Sequence, residues 1–216
     1  MAGSKFQVHV SGGSRRGSKL FTIAFLGAIL GLAGFGLWFY RDTPGQIRHV
    51  TERDGLAVMS AYALAMRGVP SEAEQPLLQA LERGEPALRA ASARALATTH
   101  KDDFVAHLGT RATTDSAIEV RVAAVEALGE MGNGMLAARW LSPALDDPAD
   151  KVKIAACRAV AQLGLGHLAY EVIPLLQHSN RLVINAAQEA LEKLSGTTRG
   201  TDPIAWRQVF EERGGR

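Results

Sequence analysis

The chain has a single cysteine, Cys157, and aromatic side chains make up only 6% of its 216 residues. One cysteine excludes an intrachain disulfide framework and says little about redox compartment. Few aromatics beside abundant alanine and leucine favour helices over sheets. The first 40 residues contain no aspartate or glutamate, while Lys5, Arg15, Arg16 and Lys19 give that stretch a charge of +4. The whole chain carries only +2, so residues 41–216 are net acidic at −2. The soluble part therefore has no overall basic character, which argues against nucleic acid as a partner.

Charge is also missing from Leu20 to Tyr40, a run of 21 residues. As a helix, that run spans about 30 Å, the thickness of bilayer hydrocarbon. It closes on Trp38, Phe39 and Tyr40, where an aromatic belt meets the membrane interface. A cleaved export signal has a shorter apolar core of ~7–15 residues and ends at small residues, so an uncleaved anchor is the better reading. The twin arginines of SRRGSKL are followed by Ser18 where a twin-arginine export signal usually has phenylalanine. Lys and Arg are denser before the run than after it, which places the amino end in the cytoplasm. The large domain is then on the other side, in the periplasm if the source is bacterial. Ala24, Gly27, Gly31 and Gly34 recur at three- and four-residue spacings, on one stripe of a helix. Two readings of that stripe stand: a surface packed against another membrane helix, or the ordinary glycine content of membrane segments.

Behind the run lies a repeat. LAVMSAYALAMRG begins at Leu56, LRAASARALATTH at Leu88, VRVAAVEALGEMG at Val120, VKIAACRAVAQLG at Val152 and VINAAQEALEKLS at Val183. The copies are offset by 32, 32, 32 and 31 residues, and the eighth position is alanine in all of them. Each reads as an amphipathic helix with its apolar side at positions 1, 4, 5, 8, 9 and 12. A second helical stretch precedes each later copy, as in EAEQPLLQALERG (72–84) and LAYEVIPLLQ (168–177). Gly68, Gly132 and Gly164 stand where C-cap glycines close a helix, and His100 takes the same place in the second copy, which puts it in a turn. Units of this size cannot bury an apolar face alone, so they must stack into a solenoid.

The copy running from Val120 through Arg121, Val122, Ala123, Ala124, Val125, Glu126, Ala127 and Leu128 to Gly129 resembles the second helix of a HEAT-like repeat. The resemblance is to the short-repeat subfamily common in bacterial proteins and covers about residues 50–196. TDPIAWRQVF (201–210) resembles an extension found after the last repeat of some bacterial HEAT-like proteins. Read from its residues, it starts a helix with Asp202 as N-cap and Pro203 at the first position. Trp206 and Phe210 would cover the open end of the last repeat. The expected fold is all-α: a transmembrane helix, then a solenoid of about five helical pairs. The expected divisions are a basic tail (1–19), the membrane helix (20–40), a connector (41–54), the solenoid (55–196) and a capping helix with tail (197–216).

The resemblance brings enzymes into view, because dinuclear-iron hydroxylases of this architecture carry repeated His-Glu pairs. No His-Glu dipeptide occurs here, and no two histidines have the i, i+4 spacing of a helical metal site. Bilin-lyase relatives share the repeat, but nothing singles out a pigment site. There is no nucleophile elbow, phosphate-cradling P-loop or CxxC. A catalytic residue, a metal and a cofactor are therefore not expected, and Cys157 reads as a small buried residue.

Binding is the expected function. Positions 3, 6 and 10 of the repeating helices point away from the apolar side and are small or apolar in four copies. They include Ala90 and Ala93, Val122 and Val125, and Ile154, Cys157 and Ala161. This strip is either a groove for an apolar or amphipathic partner helix or a set of small residues that permits close packing. Arg89, Arg121 and Lys153 at position 2 form a short basic ladder, structural or able to hold an acidic segment. Position 7 alternates in sign through Arg94, Glu126, Arg158 and Glu189, so stacked neighbours can pair. The expected protein is a membrane-anchored interaction scaffold. Its role is accessory subunit of a membrane complex or tethered adaptor for a soluble partner, with a lyase-type enzyme as the remaining alternative.

Overall fold

In a computed structural model of the chain, residues 41–214 are described. The chain divides into two compact units, residues 1–42 and 43–216. The proposed membrane helix (20–40), its packing residues Ala24, Gly27, Gly31 and Gly34, and the basic tail lie outside the described residues. Among the described residues, no helix is long and apolar enough to cross a membrane.

The described residues form helices and turns, without strands. Five helical pairs follow one another. The first pair is α1 (Thr43–Glu52) with α2 (Ala57–Arg67), and the second is α3 (Ser71–Arg83) with α4 (Pro86–Ala97). In the third, a short 3-10 turn (Asp102–Phe104) leads into α5 (Val105–Thr114), which pairs with α6 (Ile118–Glu130). The fourth is α7 (Gly134–Leu145) with α8 (Asp150–Leu163). The fifth has a broken first arm, with α9 (Ala169–Val172) between two 3-10 turns, and then α10 (Arg181–Ser195). The final helix is α11 (Pro203–Gly214).

Two boundaries differ from expectation. The connector expected over 41–54 carries α1, whose Val50 is buried against the first repeat, so the solenoid begins at Thr43. The stretch 168–177, expected as one helix, is interrupted: α9 ends at Val172 and a 3-10 turn over Ile173–Gln177, with Pro174 at its second position, follows.

The second helices α2, α4, α6, α8 and α10 stack in one row, each packed on the next. Alanine sets the spacing of that row. A Cβ placed on Gly129 would lie 3.0 Å from Cβ of Ala159, so position 10 of one copy meets position 8 of the following copy. The first helices stack as well: α5 packs on α7 through a glycine. A Cβ on Gly109 would sit 2.1 Å from the indole of Trp140, so the ring lies flat on the bare backbone of α5. Leu77, Leu81, Leu108 and Leu141 from the first helices fill the core beside Leu64, Leu96, Leu128 and Leu191 from the second.

The turns after the first four repeating helices use the same backbone position, and the fifth uses Gly196, one residue later. Gly68, Gly132 and Gly164 have φ of 87°, 81° and 67°, and His100 takes φ 52° at the equivalent place. The expectation of a turn at His100 holds. At the far end, α11 closes the stack. Asp202 Oδ1 accepts from the Ile204 N–H at 2.9 Å, Trp206 is fully buried and its Nε1 donates to the Gly200 carbonyl at 2.8 Å. Phe210 is buried beside it, edge-on to Tyr170.

Candidate interaction surface

The strip expected to be open is mostly closed. Ala93, Val125 and Cys157 at position 6 are 0% exposed, and Ala90 and Ala161 are buried as well. The reason is the row spacing: positions 6 and 10 point at the neighbouring second helix, and small residues there let the helices touch. Val122 and Ile154 at position 3 stay half-buried at the surface. Burial pushes the Cys157 thiol up to about 12, so it is protonated at neutral pH and a poor nucleophile.

The basic ladder is spent on the fold. Arg89 donates from Nε and Nη2 to the two carboxylate oxygens of Asp115, at 2.8 and 2.7 Å, and from Nη1 to the Gly84 carbonyl. Arg121 repeats this one copy later, with Nε and Nη2 at 2.8 and 3.0 Å from Asp147 and Nη1 on the Asp115 carbonyl. Lys153 donates to the backbone carbonyl of Asp147. The aspartates also hold the turn ahead of the next second helix, accepting from the N–H of Ala117 and of Ala149. The hydrogen bonds that Arg89 donates to Asp115 raise its guanidinium above the ordinary value. Burial drives the Asp115 carboxyl upward, but the hydrogen bonds from Arg89 and from Ala117 outweigh it and hold the group below the usual range. An acidic partner segment on this ladder would have to displace those carboxylates, so the ladder is a clamp between repeats and not an open site.

Position 7 pairs in part: Arg94 reaches Glu126 at 3.2 Å and the hydroxyl of Tyr62 at 3.5 Å. Both charged side chains are more than a third exposed, so the pair tunes register and adds little stability.

What remains accessible is a cleft of about 680 Å³ at the amino-terminal ends of α6 and α8. Ile118 and Val122 from α6 and Pro148 with Ala149 from the turn before α8 give it an apolar lining. Arg94, Glu119, Asp150 and Lys151 give it charges of both signs. Asp150 is held by Asn180 Nδ2 at 2.7 Å, and Ile118 is 43% exposed. A smaller cleft of about 360 Å³ sits at the matching place between α2 and α4, with Val58 and Leu88 beside Arg53, Asp54 and Glu85. Of the expected strip, only Val122 lines the large cleft. Ile118 was not anticipated, because it stands before position 1, outside the periodic pattern. The aspartates of the clamp were also missed, although Asp115 and Asp147 each stand five residues before their copies begin. Among the described residues, no three His, Cys, Asp or Glu side chains group as a metal site. The arrangement can hold an apolar side chain of a partner and orient it by rim charges.

Comparison with known proteins agrees with this geometry. Residues 52–129 match the family of HEAT repeats. Comparison with curated proteins gives no match. The structure of the complex of CpcE and CpcF of phycocyanin lyase from Nostoc sp. PCC7120 is similar at 22% identity and a TM-score of 0.61. That likeness covers 76% of this chain and 66% of that one, just under two thirds of its length. Computationally designed armadillo repeat proteins for modular peptide recognition are similar at 18% identity and a TM-score of 0.50, covering 80% of this chain and 88% of theirs. At these identities the likenesses show the fold. Residues 52–129 thus match HEAT repeats, and the described residues as a whole form an all-α repeat solenoid.

Proposed function

We propose that the protein is a membrane-tethered scaffold that docks a partner polypeptide in the cleft between α6 and α8. The observation that carries this reading is the 680 Å³ cleft itself, where Ile118 is exposed beside half-buried Val122 on an otherwise small-residue row. An exposed large apolar side chain in a concavity rimmed by charge is what a partner's anchor residue requires. Residues 20–40 supply the tether, with the amino end cytoplasmic and the solenoid on the far side of the membrane. The role is non-enzymatic, as an accessory or assembly subunit of a membrane complex.

Two measurements test it. The full chain should resist carbonate extraction from membranes; release into the wash overturns the tether. Ile118→Asp should abolish co-purification of the partner while the melting temperature stays within a few degrees; unchanged co-purification overturns the cleft. Substituting Gly27 and Gly31 with Leu separates the subunit from a tethered adaptor. A subunit loses its membrane partners, whereas an adaptor keeps its soluble one. A lyase-like role is the remaining reading, favoured by the likeness to the phycocyanin lyase complex. A pigment bound stoichiometrically to the purified protein would establish it.

A further inference from the structure

The two clefts of the second-helix row are built alike, two repeats apart. Val58 in the smaller and Val122 in the larger both stand at position 3 and are half-buried. Asp54 and Gly55, two and one residues before their copy, line the smaller cleft where Ile118 and Glu119 line the larger. From the following copies, Glu85 and Ala149 also correspond, each three residues ahead of position 1. In the repeat between, position 3 is Ala90, small and buried. An occupant that fills both clefts therefore crosses a repeat whose position 3 is closed.

The charges divide the same way in each cleft. Two are committed to the fold: Arg94 to Glu126 and Asp150 to Asn180 in the larger, Arg53 to the Arg83 carbonyl and Asp54 to His49 in the smaller. The other side chains, Glu119 with Lys151 and Glu85 with Arg83, are exposed. They form no ion pair or side-chain hydrogen bond among the described residues. Each cleft thus keeps one carboxylate, which only accepts, and one cation, which only donates. An extended chain leaves an N–H and a C=O open at every residue, whereas a helix satisfies its own. One unused acceptor and one unused donor beside an apolar floor match the backbone and side chain of an extended segment.

We propose that a single extended polypeptide segment of the partner spans both clefts, with one apolar side chain in each and its backbone held by the unused charges. The inference rests on the reading of the larger cleft as a docking site, and adds the second cleft and the conformation of the occupant. Packed helices stand about 8–10 Å apart, so two steps along the row separate the clefts by about 16–20 Å. An extended chain rises about 3.3 Å per residue and turns every second side chain to one face, which selects an offset of about six residues between the two anchors. A helix would need an offset of about eleven to thirteen.

The test measures fluorescence anisotropy of labelled host peptides binding to the purified full chain. The peptides are built of glycine, serine and asparagine, and carry one leucine or two leucines at offsets from about three to thirteen residues. Offset six should bind about tenfold or more tighter than the single-leucine peptide, and offset five should gain little. Val58→Ser and Ile118→Asp should each bring offset six down to the single-leucine level. Glu85→Ala, at an exposed rim position, should weaken offset six more than the single-leucine peptide, and serves if Val58→Ser unfolds. Equal affinity at every offset, lost in Ile118→Asp and kept in Val58→Ser, overturns the inference and leaves the single docking cleft standing. A maximum at offsets of about eleven to thirteen overturns it in favour of a helix. No binding by any peptide overturns the inference, and binding that Ile118→Asp does not touch overturns the docking cleft with it.

Discussion

Arg89 and Asp115 lie 26 residues apart in sequence, in consecutive repeats, and meet through two hydrogen bonds of 2.8 and 2.7 Å with the carboxylate almost wholly buried. The same pairing recurs between Arg121 and Asp147, again 26 residues apart. Each aspartate also fixes the turn that launches the next second helix, so one carboxylate sets both the local turn and the stacking of neighbouring repeats. Replacing Arg89 with methionine removes the bidentate partner of the buried Asp115 carboxylate, leaving it to Arg111 at 3.7 Å, and should cost about 3 kcal/mol in denaturant unfolding. Asp115→Asn, which keeps one acceptor and the turn, should cost less.

The clamp gives stability a defined pH dependence. Asp115 is held below its ordinary value, and an unfolded aspartate titrates near ~3.9. The folded state thus releases this proton more readily than the unfolded state, so the contribution is complete above about pH 5 and is lost as pH falls through the folded value. Arg89 is raised, so its share persists at every pH below ~12. Acid unfolding followed by circular dichroism should show this slope in the wild type, and Asp115→Asn should flatten part of it.

His100 holds a left-handed backbone at φ 52°, where three sister repeats use glycine. A side chain there costs roughly 1–2 kcal/mol, offset in part by the greater freedom of glycine in the unfolded chain. His100→Gly should therefore raise stability by about 0.5–1 kcal/mol, a rise in Tm of a few degrees by calorimetry.

Gly109 lies under the indole of Trp140, with no room for a methyl group. Gly109→Ala should force the ring outward and cost about 1–3 kcal/mol, despite the better helix propensity of alanine. Trp140 fluorescence should shift to the red in the variant.

Ser60 and Ser92 are fully buried at position 5, their hydroxyls without a hydrogen-bond partner, where later copies have alanine. Ser92→Ala should be neutral or stabilising by up to about 1 kcal/mol, because it removes a desolvated hydroxyl. A loss of more than 1 kcal/mol would mean that the hydroxyl has a partner after all.

The architecture was legible because the repeat states its own period: Ala63, Ala95, Ala127, Ala159 and Ala190 recur in register, and stacking is the only way to bury faces of that size. The cap was legible for a local reason, since Asp202, Pro203 and Trp206 each fit one known helix-start or end-closing role. Which positions stay exposed was not. Positions 3, 6 and 10 look alike on a helical wheel of one isolated helix, but stacking covers Ala93, Val125 and Cys157 while leaving Val122 at the surface. Inter-repeat spacing decides this, and it is a tertiary property. The α1 segment lies before the first copy of the repeat, so the repeat gave it no register, and Pro44 in its first turn is compatible with a helix. Ile118, the first residue of α6, and the Asp115 acceptor, in the turn before it, both stand ahead of position 1, outside the helical pattern of the copies.

Docking of a partner between α6 and α8 is tested by a photo-crosslinking amino acid placed at Val122. In native membranes, Val122 and the outward reference Met135 are compared under the same illumination. A partner in the cleft gives a discrete adduct of defined mass from Val122 and none from Met135. Equal labelling from both positions, or an adduct from Met135 alone, would contradict it.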